Sequence, residues 1–360
     1  MKFFPILRRF KVPVDVLTVL MRFVGGGAEK SVEITASALN PDIISMHRIA
    51  CNEPLLGEPP PISTVLSYSR NRLSTVLQGS KKLSLLIKSE QPDIVHVHCE
   101  LPELVCVLAY LQLPKVQRPP LVITEHTRKP WIRFPFAGRV VRNLALRLGG
   151  KFVPCFPPEN EFPYEVVIRN PIEVSPGSIG KVSQFRRVIV IGRLHRSKQV
   201  IRILEAIAAT DSSIPILIIG DGPERPALEK FAEQHLENCH FAGYQPSPWG
   251  CAKSGDIFIS ASEYEGDPLT LCEALIKGIP VLVSDIDAHR DLVESGSLFK
   301  NADELAHRLL DLRAGATTLL DYQMSDSEQR ALRRSRDPKV IADTWQQVYL
   351  ALSETSELVS

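Results

Sequence analysis

Four stretches of this chain hold charged residues and glycines at spacings suited to a phosphate-bearing ligand. In VIVIGRLHRSKQ, an apolar run ends at Gly192, and Arg193 and Lys198 follow five positions apart. In EGDPLTLCEALIKGIPVLVSD, Glu265 and Gly266 precede a helical pattern that Pro268 and Leu269 open and Gly278 and Pro280 close. Those signals predict a helix over residues 268–277 with Glu273 inside it. Its first turn offers free N–H groups and the positive end of the helix dipole, both suited to a diphosphate. Gly220 and Gly222 flank Asp221 in a tight-turn sequence, and Gly25, Gly26 and Gly27 run into Glu29 and Lys30. Glycines allow close backbone approach and positive φ. The 25–30 run has neither the dinucleotide G-x-G-x-x-G spacing nor a Walker spacing. Histidines also recur at apolar run ends, with His126 after one and His96 and His98 two apart on another. The latter two share a strand face, and no third ligand stands near them in sequence, which argues against a metal.

Such residues need scaffolding, and the chain alternates short apolar runs with helical stretches, the pattern of βαβ units and parallel sheets. One series places strands near residues 14–24, 43–47, 94–98 and 121–124, and a second near 188–191, 216–219, 257–260 and 281–284. The glycines, histidines, cations and glutamates all fall at the downstream ends, where open parallel sheets bind ligands. Between the series, residues 154–176 are proline-rich and lose periodicity, which marks a linker. A final amphipathic helix is expected over 338–352, with Val340, Ile341, Trp345, Val348 and Leu352 on or near one face. The expected domains are 1–165, 166–335 and a C-terminal helix, 336–360, that can cross back to the first.

At 360 residues and 44% hydrophobic, the chain can build two cores. Its formal charge of +1 argues against a nucleic-acid protein, although the first 180 residues carry 22 basic against 15 acidic residues. Seven cysteines, an odd number without Cys-x-x-Cys, read as reduced thiols in a cytosolic protein. No apolar run approaches the ~20 residues needed to span a bilayer. The N-terminal stretch is basic and partly apolar, but Lys11, Asp15 and Arg22 interrupt it, and it reads as a first strand rather than a signal peptide.

Taken together, these motifs resemble the retaining GT-B glycosyltransferases of family 4 over nearly the whole chain. The most specific part is the Glu-x7-Glu pair Glu265 and Glu273, with Gly266, Pro268, Ala274, Gly278 and Pro280 around it. The resemblance implies an α/β fold of two facing Rossmann-like domains with a nucleotide-sugar cleft between them. It implies that Glu273 accepts hydrogen bonds from the ribose and that the Glu265 loop faces the transferred sugar. Arg193 and Lys198 match the family's Gly-Arg-Leu-x3-Lys motif and would oppose the charge that grows on a departing nucleoside diphosphate. Gln199 stands where relatives carry glycine. Gly26 and Gly27 resemble the family loop that approaches the donor phosphates, Gly220 and Gly222 match a family turn, and His126 resembles the histidine beside the transferred sugar. Asp285 and Asp287 have metal-site spacing, but relatives have a comparable loop there that binds no metal. No metal or other cofactor is expected. Retention, with the acceptor attacking from the face the diphosphate leaves, is likewise carried by the resemblance. The hinge reads Asn170-Pro171-Ile172-Glu173 instead of Asn-Gly-x-Asp, which implies a stiffer connection.

The stretch from Arg128 to Lys151 holds seven basic residues, Trp131, Phe134 and Phe136, and no acid. It can lie on an anionic membrane surface or form a solvated helix face. The expected partners are a nucleotide-sugar donor and a glycan or lipid-linked acceptor, with a cytoplasmic location, peripheral on the inner face of the plasma membrane where that surface binds. Two rivals are a nucleotide-sugar epimerase on the same fold and a non-catalytic partner subunit. A nicotinamide dehydrogenase is disfavoured, because its fingerprint glycines and ribose-binding acid are not in place.

Overall fold

The computed structural model describes residues 13–23, 26–52, 64–69, 71–158, 162–173 and 183–357, with side chains as far as 354. The chain forms two compact units, one of Met1–Pro171 with Pro338–Ser360 and one of Ile172–Asp337.

In the first unit the order is β1 (Val14–Leu20), α1 (Gly27–Ala38), β2 (Ile44–Ala50), β3 (Thr64–Val65), α2 (Arg72–Glu90), β4 (Ile94–His98), α3 (Glu100–Leu111), β5 (Leu121–Glu125), α4 (Pro135–Arg147) and β6 (Lys151–Pro154). The strands make one parallel sheet in the order β3-β2-β1-β4-β5-β6. Every residue of β4 and β5 is buried, as a parallel sheet covered on both faces requires. Residues of α2, α3 and α4 fill one core.

The second unit runs β7 (Arg187–Ile191), α5 (Val200–Thr210), β8 (Ile216–Ile219), α6 (Arg225–His235), β9 (Cys239–Gly243), β10 (Asp256–Ser260), α7 (Leu269–Ile276), β11 (Val281–Ser284), α8 (Asp287–Arg290), β12 (Leu298–Phe299), α9 (Ala302–Ala314) and α10 (Asp326–Ser335). The last helix, α11 (Pro338–Glu357), returns to the first unit and packs on α1. Its Ile341, Ala342, Trp345, Tyr349 and Leu352 are buried with Ile44, Ile94 and Ile168. Val340, placed near that face by sequence, is 52% exposed, because the buried stripe starts one residue later.

The second sheet is also parallel, in the order β12-β11-β10-β7-β8-β9. Both sheets are thus doubly wound, with the connections reversing direction between β1 and β4 and between β7 and β10. The fold is α/β with two Rossmann-like sheets. The sequence missed β3, β6, β9 and β12. All but β6 are two-residue strands or, in β9, an edge strand with no fully buried residue. β6 ends on Pro154, where the expected linker began, and an edge strand tolerates that proline. β1 stops at Leu20, short of residue 24, while residues 24, 25, 159–161 and 174–182, parts of the expected glycine loop and linker, lie outside the described residues.

Candidate functional site

In the second unit the sequence-marked residues gather over the reversal between β7 and β10. After β7, Gly192 leads to exposed Arg193 and buried Leu194, and a short turn over Arg196–Lys198 delivers Lys198. After β10, Ser262 and Glu265 follow. The Lys198 ammonium contacts Glu265 Oε1 directly, and the Ser262 hydroxyl donates to the same oxygen at 2.7 Å. Burial by itself raises the Glu265 carboxyl. The Lys198 charge and hydrogen bond, with Ser262 and His289, outweigh it and leave the carboxyl below its ordinary value. The backbone holds the two loops together, since the Glu263 N–H donates to the Ser197 carbonyl at 2.9 Å. Gln199, in place of glycine, adopts the left-handed conformation at φ 48° that glycine would take, and its amide donates to Arg196 O and Glu263 Oε1 at 2.9 and 3.0 Å. His195 is partly buried, with Nδ1 accepting from the Ser197 N–H.

The glycines after β8 are fixed by close approach. A Cβ on Gly220 would lie 1.9 Å from the Gly192 carbonyl oxygen, and one on Gly222 would lie 2.2 Å from that of Leu194. The turn packs there because Leu194 N–H donates to Asp221 O and Glu224 N–H donates to Leu194 O.

Helix α7 begins at Leu269, with Gly266 and Pro268 buried in the entry and Pro268 at the N-cap rather than inside the first turn. Gly278, at φ 69°, ends it in a left-handed cap. Glu273 is 6% exposed, and its Oε2 accepts from the Trp249 indole at 2.7 Å. Asp267 is held by both Nη atoms of Arg336, and the pair is almost wholly buried. Asp285 and Asp287 both accept from Arg290, at 2.6 Å each.

In the first unit, Gly26 caps α1 and Gly27 is its first residue. His96 is hydrogen-bonded through both ring nitrogens, to Tyr349 Oη and Thr124 Oγ1, each at 2.7 Å. His98 Nδ1 lies 3.0 Å from His126 Nε2, so the fold brings the third histidine that local sequence lacked. Burial holds His96 and His98 below the ordinary imidazole value, His96 at about 3. The three histidines line a crevice with Ser31, Asn170 and Trp345. Among the described residues no cluster of His, Cys, Asp or Glu is placed to hold a metal ion.

The basic stretch does not present all of its residues to solvent. The Trp131 indole donates to Glu103 at 2.9 Å beneath α3, and Arg142 pairs with Glu125 at 2.7 Å and stacks over the Phe162 ring at 3.7 Å. Lys129, Arg133, Arg139 and Arg147 remain exposed beside Phe134 and Phe136, which are 60% and 78% exposed.

A family model described as glycosyl transferases group 1 matches residues 172–317, and one described as Glycosyltransferase Family 4 matches residues 25–156. The chain belongs to the family 4, group 1 glycosyltransferases. Alpha-monoglucosyldiacylglycerol synthase of Acholeplasma laidlawii is 28% identical over 140 residues, 35% of this chain and 34% of that one. An O-antigen biosynthesis glycosyltransferase of Escherichia coli, WbnH, is 29% identical over 150 residues, 41% of this chain and 43% of that one. The matched stretches therefore span less than half of either curated relative. Among solved structures, Anabaena HepE in complex with UDP and glucose superposes with a TM-score of 0.72 at 16% identity, covering 92% of this chain and 98% of that one. The sucrose-phosphate synthase of Thermosynechococcus elongatus also reaches 0.72, at 14% identity, covering 95% and 99%. These likenesses show the GT-B glycosyltransferase fold. Within this family 4 chain, Trp249, Ser262, Ser284 and His289 went unnoticed in sequence. Trp249 lies in a short turn, Ser262 in the loop after β10, Ser284 at the end of β11 and His289 in α8, and no local pattern marks any of them, since packing alone sets their place at the site.

Proposed function

We propose that the chain transfers a sugar from a nucleoside diphosphate donor to a glycan or lipid-linked acceptor, with retention of configuration and without a metal. The observation that carries this reading is the Lys198–Glu265 contact over the β7/β10 reversal, within one unit that also holds exposed Arg193, the α7 entry and buried Glu273. Cations fixed where a diphosphate departs stabilise the charge that develops on the leaving oxygen. In this scheme Arg193 and Lys198 meet the diphosphate, with Gly192, Gly220, Gly222, Gly266, Pro268 and Leu269 giving it close backbone approach. Glu273 holds the ribose and Glu265 faces the sugar. In the first unit, Gly26 and Gly27 approach the phosphates and His126 hydrogen-bonds a sugar hydroxyl. The products in the names of two relatives, a monoglucosyldiacylglycerol and an O-antigen, support a lipid or glycan acceptor.

The exposed aromatics and cations of residues 129–147 are assigned to an anionic membrane surface. No helix among the described residues is long and apolar enough to cross a membrane.

The deciding experiment incubates the protein with a panel of nucleotide sugars, with and without lipid and glycan acceptors. Release of nucleoside diphosphate together with a new glycosidic product is expected from one donor, and NMR of the product's anomeric proton reads the stereochemistry. Binding of a donor with interconversion of the sugar and no acceptor product would favour an epimerase.

A further inference from the structure

His289 lies in α8, just beyond the end of β11, and is completely buried. Its Nδ1 is 2.8 Å from the carbonyl oxygen of Ser284. A carbonyl only accepts, so Nδ1 carries the proton. Burial lowers the affinity of the ring for a second proton, the Ser284 carbonyl and Glu265 acting in the opposite sense and Lys198 in the same one, and the ring is held below its ordinary value. In the neutral ring Nε2 is a lone-pair acceptor. That atom is buried and has no hydrogen-bond partner among the described residues.

The surroundings show which donor suits it. Ser284 Oγ donates to the Ser262 carbonyl at 2.6 Å, and Ser262 Oγ donates to Glu265, which also holds Lys198. His289 thus stands at one end of a hydrogen-bonded chain whose other end is the ammonium. Glu265 and Lys198 are the two charges that bear on its ring. The ammonium has three donors, of which Glu265 takes one. A second carboxylate here would hold the lysine but cancel the charge it must offer to a phosphate, whereas a neutral imidazole orients the cation and leaves its charge intact.

Resting on the donor-site reading above, we propose that His289 is a positioning residue for Lys198, the imidazole Nε2 accepting a hydrogen bond relayed from the ammonium through one water. The alternative is an anchor only, acting through Nδ1 and Ser284. Two substitutions separate these roles. His289→Asn keeps a donor near Nδ1 and loses the group at Nε2, while His289→Gln places an acceptor near Nε2 and loses the Nδ1 anchor. The test measures melting temperature and kcat and KM for the nucleotide-sugar donor in both variants, in Lys198→Ala, and in each double variant. The expected result is a stable His289→Asn with kcat about tenfold down and donor KM changed less, partial recovery of kcat in His289→Gln, and double variants no slower than Lys198→Ala alone. Unchanged kcat in His289→Asn, or losses that add fully in the double variants, overturns the proposal. Should one variant lose its fold, the cycle with the other decides in the same way. Failure of the parent protein to turn over or bind any nucleotide sugar overturns the donor-site reading instead.

Discussion

The Lys198 ammonium and the Glu265 carboxylate neutralise each other as the site stands, so a departing diphosphate must compete for a cation already in place. That competition belongs to the transition state, where phosphate charge is greatest. Lys198→Ala and Arg193→Ala are therefore expected to reduce kcat by about a hundredfold with a smaller change in donor KM. Glu273→Ala is expected to raise donor KM chiefly, since a ribose contact is the same in ground and transition states. Initial rates against donor concentration check both, and normal KM with collapsed kcat in Glu273→Ala would reverse the assignment. Gln199 offers a stability test at the same scale. A β-branched side chain tolerates its left-handed backbone poorly, so Gln199→Val should unfold at lower denaturant than Gln199→Gly, by about 1–2 kcal/mol.

At the scale of elements, α3 and the segment leading into α4 meet at Glu103, which is 3% exposed and accepts from the Trp131 indole. Burial raises its carboxyl from 4.5 to about 7, against the Trp131 hydrogen bond. The folded state then binds more protons than the unfolded one between those values, so stability falls as pH rises from about 4.5 through about 7. Glu103→Gln should flatten the dependence of melting temperature on pH across that window and gain about 2–3 kcal/mol at pH 8. An unchanged slope would mean that Glu103 is ionised in the folded protein. The exposed face before and along α4 makes a separate prediction. Lys129, Arg133, Arg139 and Arg147 should drive binding to vesicles of anionic lipid that weakens with salt, and changing all four to Glu should abolish it. Arg142 is excluded from this set because its loss strands buried Glu125. A co-sedimentation assay reads the result, and equal binding by the variant would remove the membrane role.

For the molecule as a whole, the informative feature is Arg336. The chain enters the second unit at Ile172 and leaves it at Asp337. The Ile172 N–H donates to the Arg336 carbonyl at 2.9 Å, and the Arg336 guanidinium clasps Asp267 in the entry to α7. One residue thus ties both chain crossings to the candidate donor loop. Removing one partner of a buried ion pair leaves a charge without its counterion, so Arg336→Met should cost about 3–5 kcal/mol, and Asp267→Leu with Arg336→Met should be more stable than Arg336→Met alone. Thermal unfolding of the three variants checks this, and a double variant less stable than Arg336→Met would show that the pair contributes more than mutual neutralisation. Activity should also survive a strong chelator. Complete loss restored by a divalent ion would contradict the metal-free proposal.

The sequence by itself determined the fold class and the loops that carry the candidate site. Apolar runs such as 94–98 and 216–219 can be buried on both faces only as parallel strands, and those two matched the observed strands at both ends. Gly220 and Gly222 were visible as a turn, but the 1.9 and 2.2 Å approaches that require glycine arise from a loop some 30 residues upstream, beyond any local pattern. Gln199 looked like a departure from its motif, yet its backbone takes the glycine conformation because two side-chain hydrogen bonds hold it. Only the tertiary structure paired Lys198 with Glu265, His98 with His126, Trp249 with Glu273 and Arg336 with Asp267. It also turned Trp131 and Arg142 inward from a stretch that reads as uniformly basic surface. Periodicity and turn chemistry act over a few residues and are written along the chain. Partners separated by 24 to 69 residues meet only when strand order and helix packing bring their elements together.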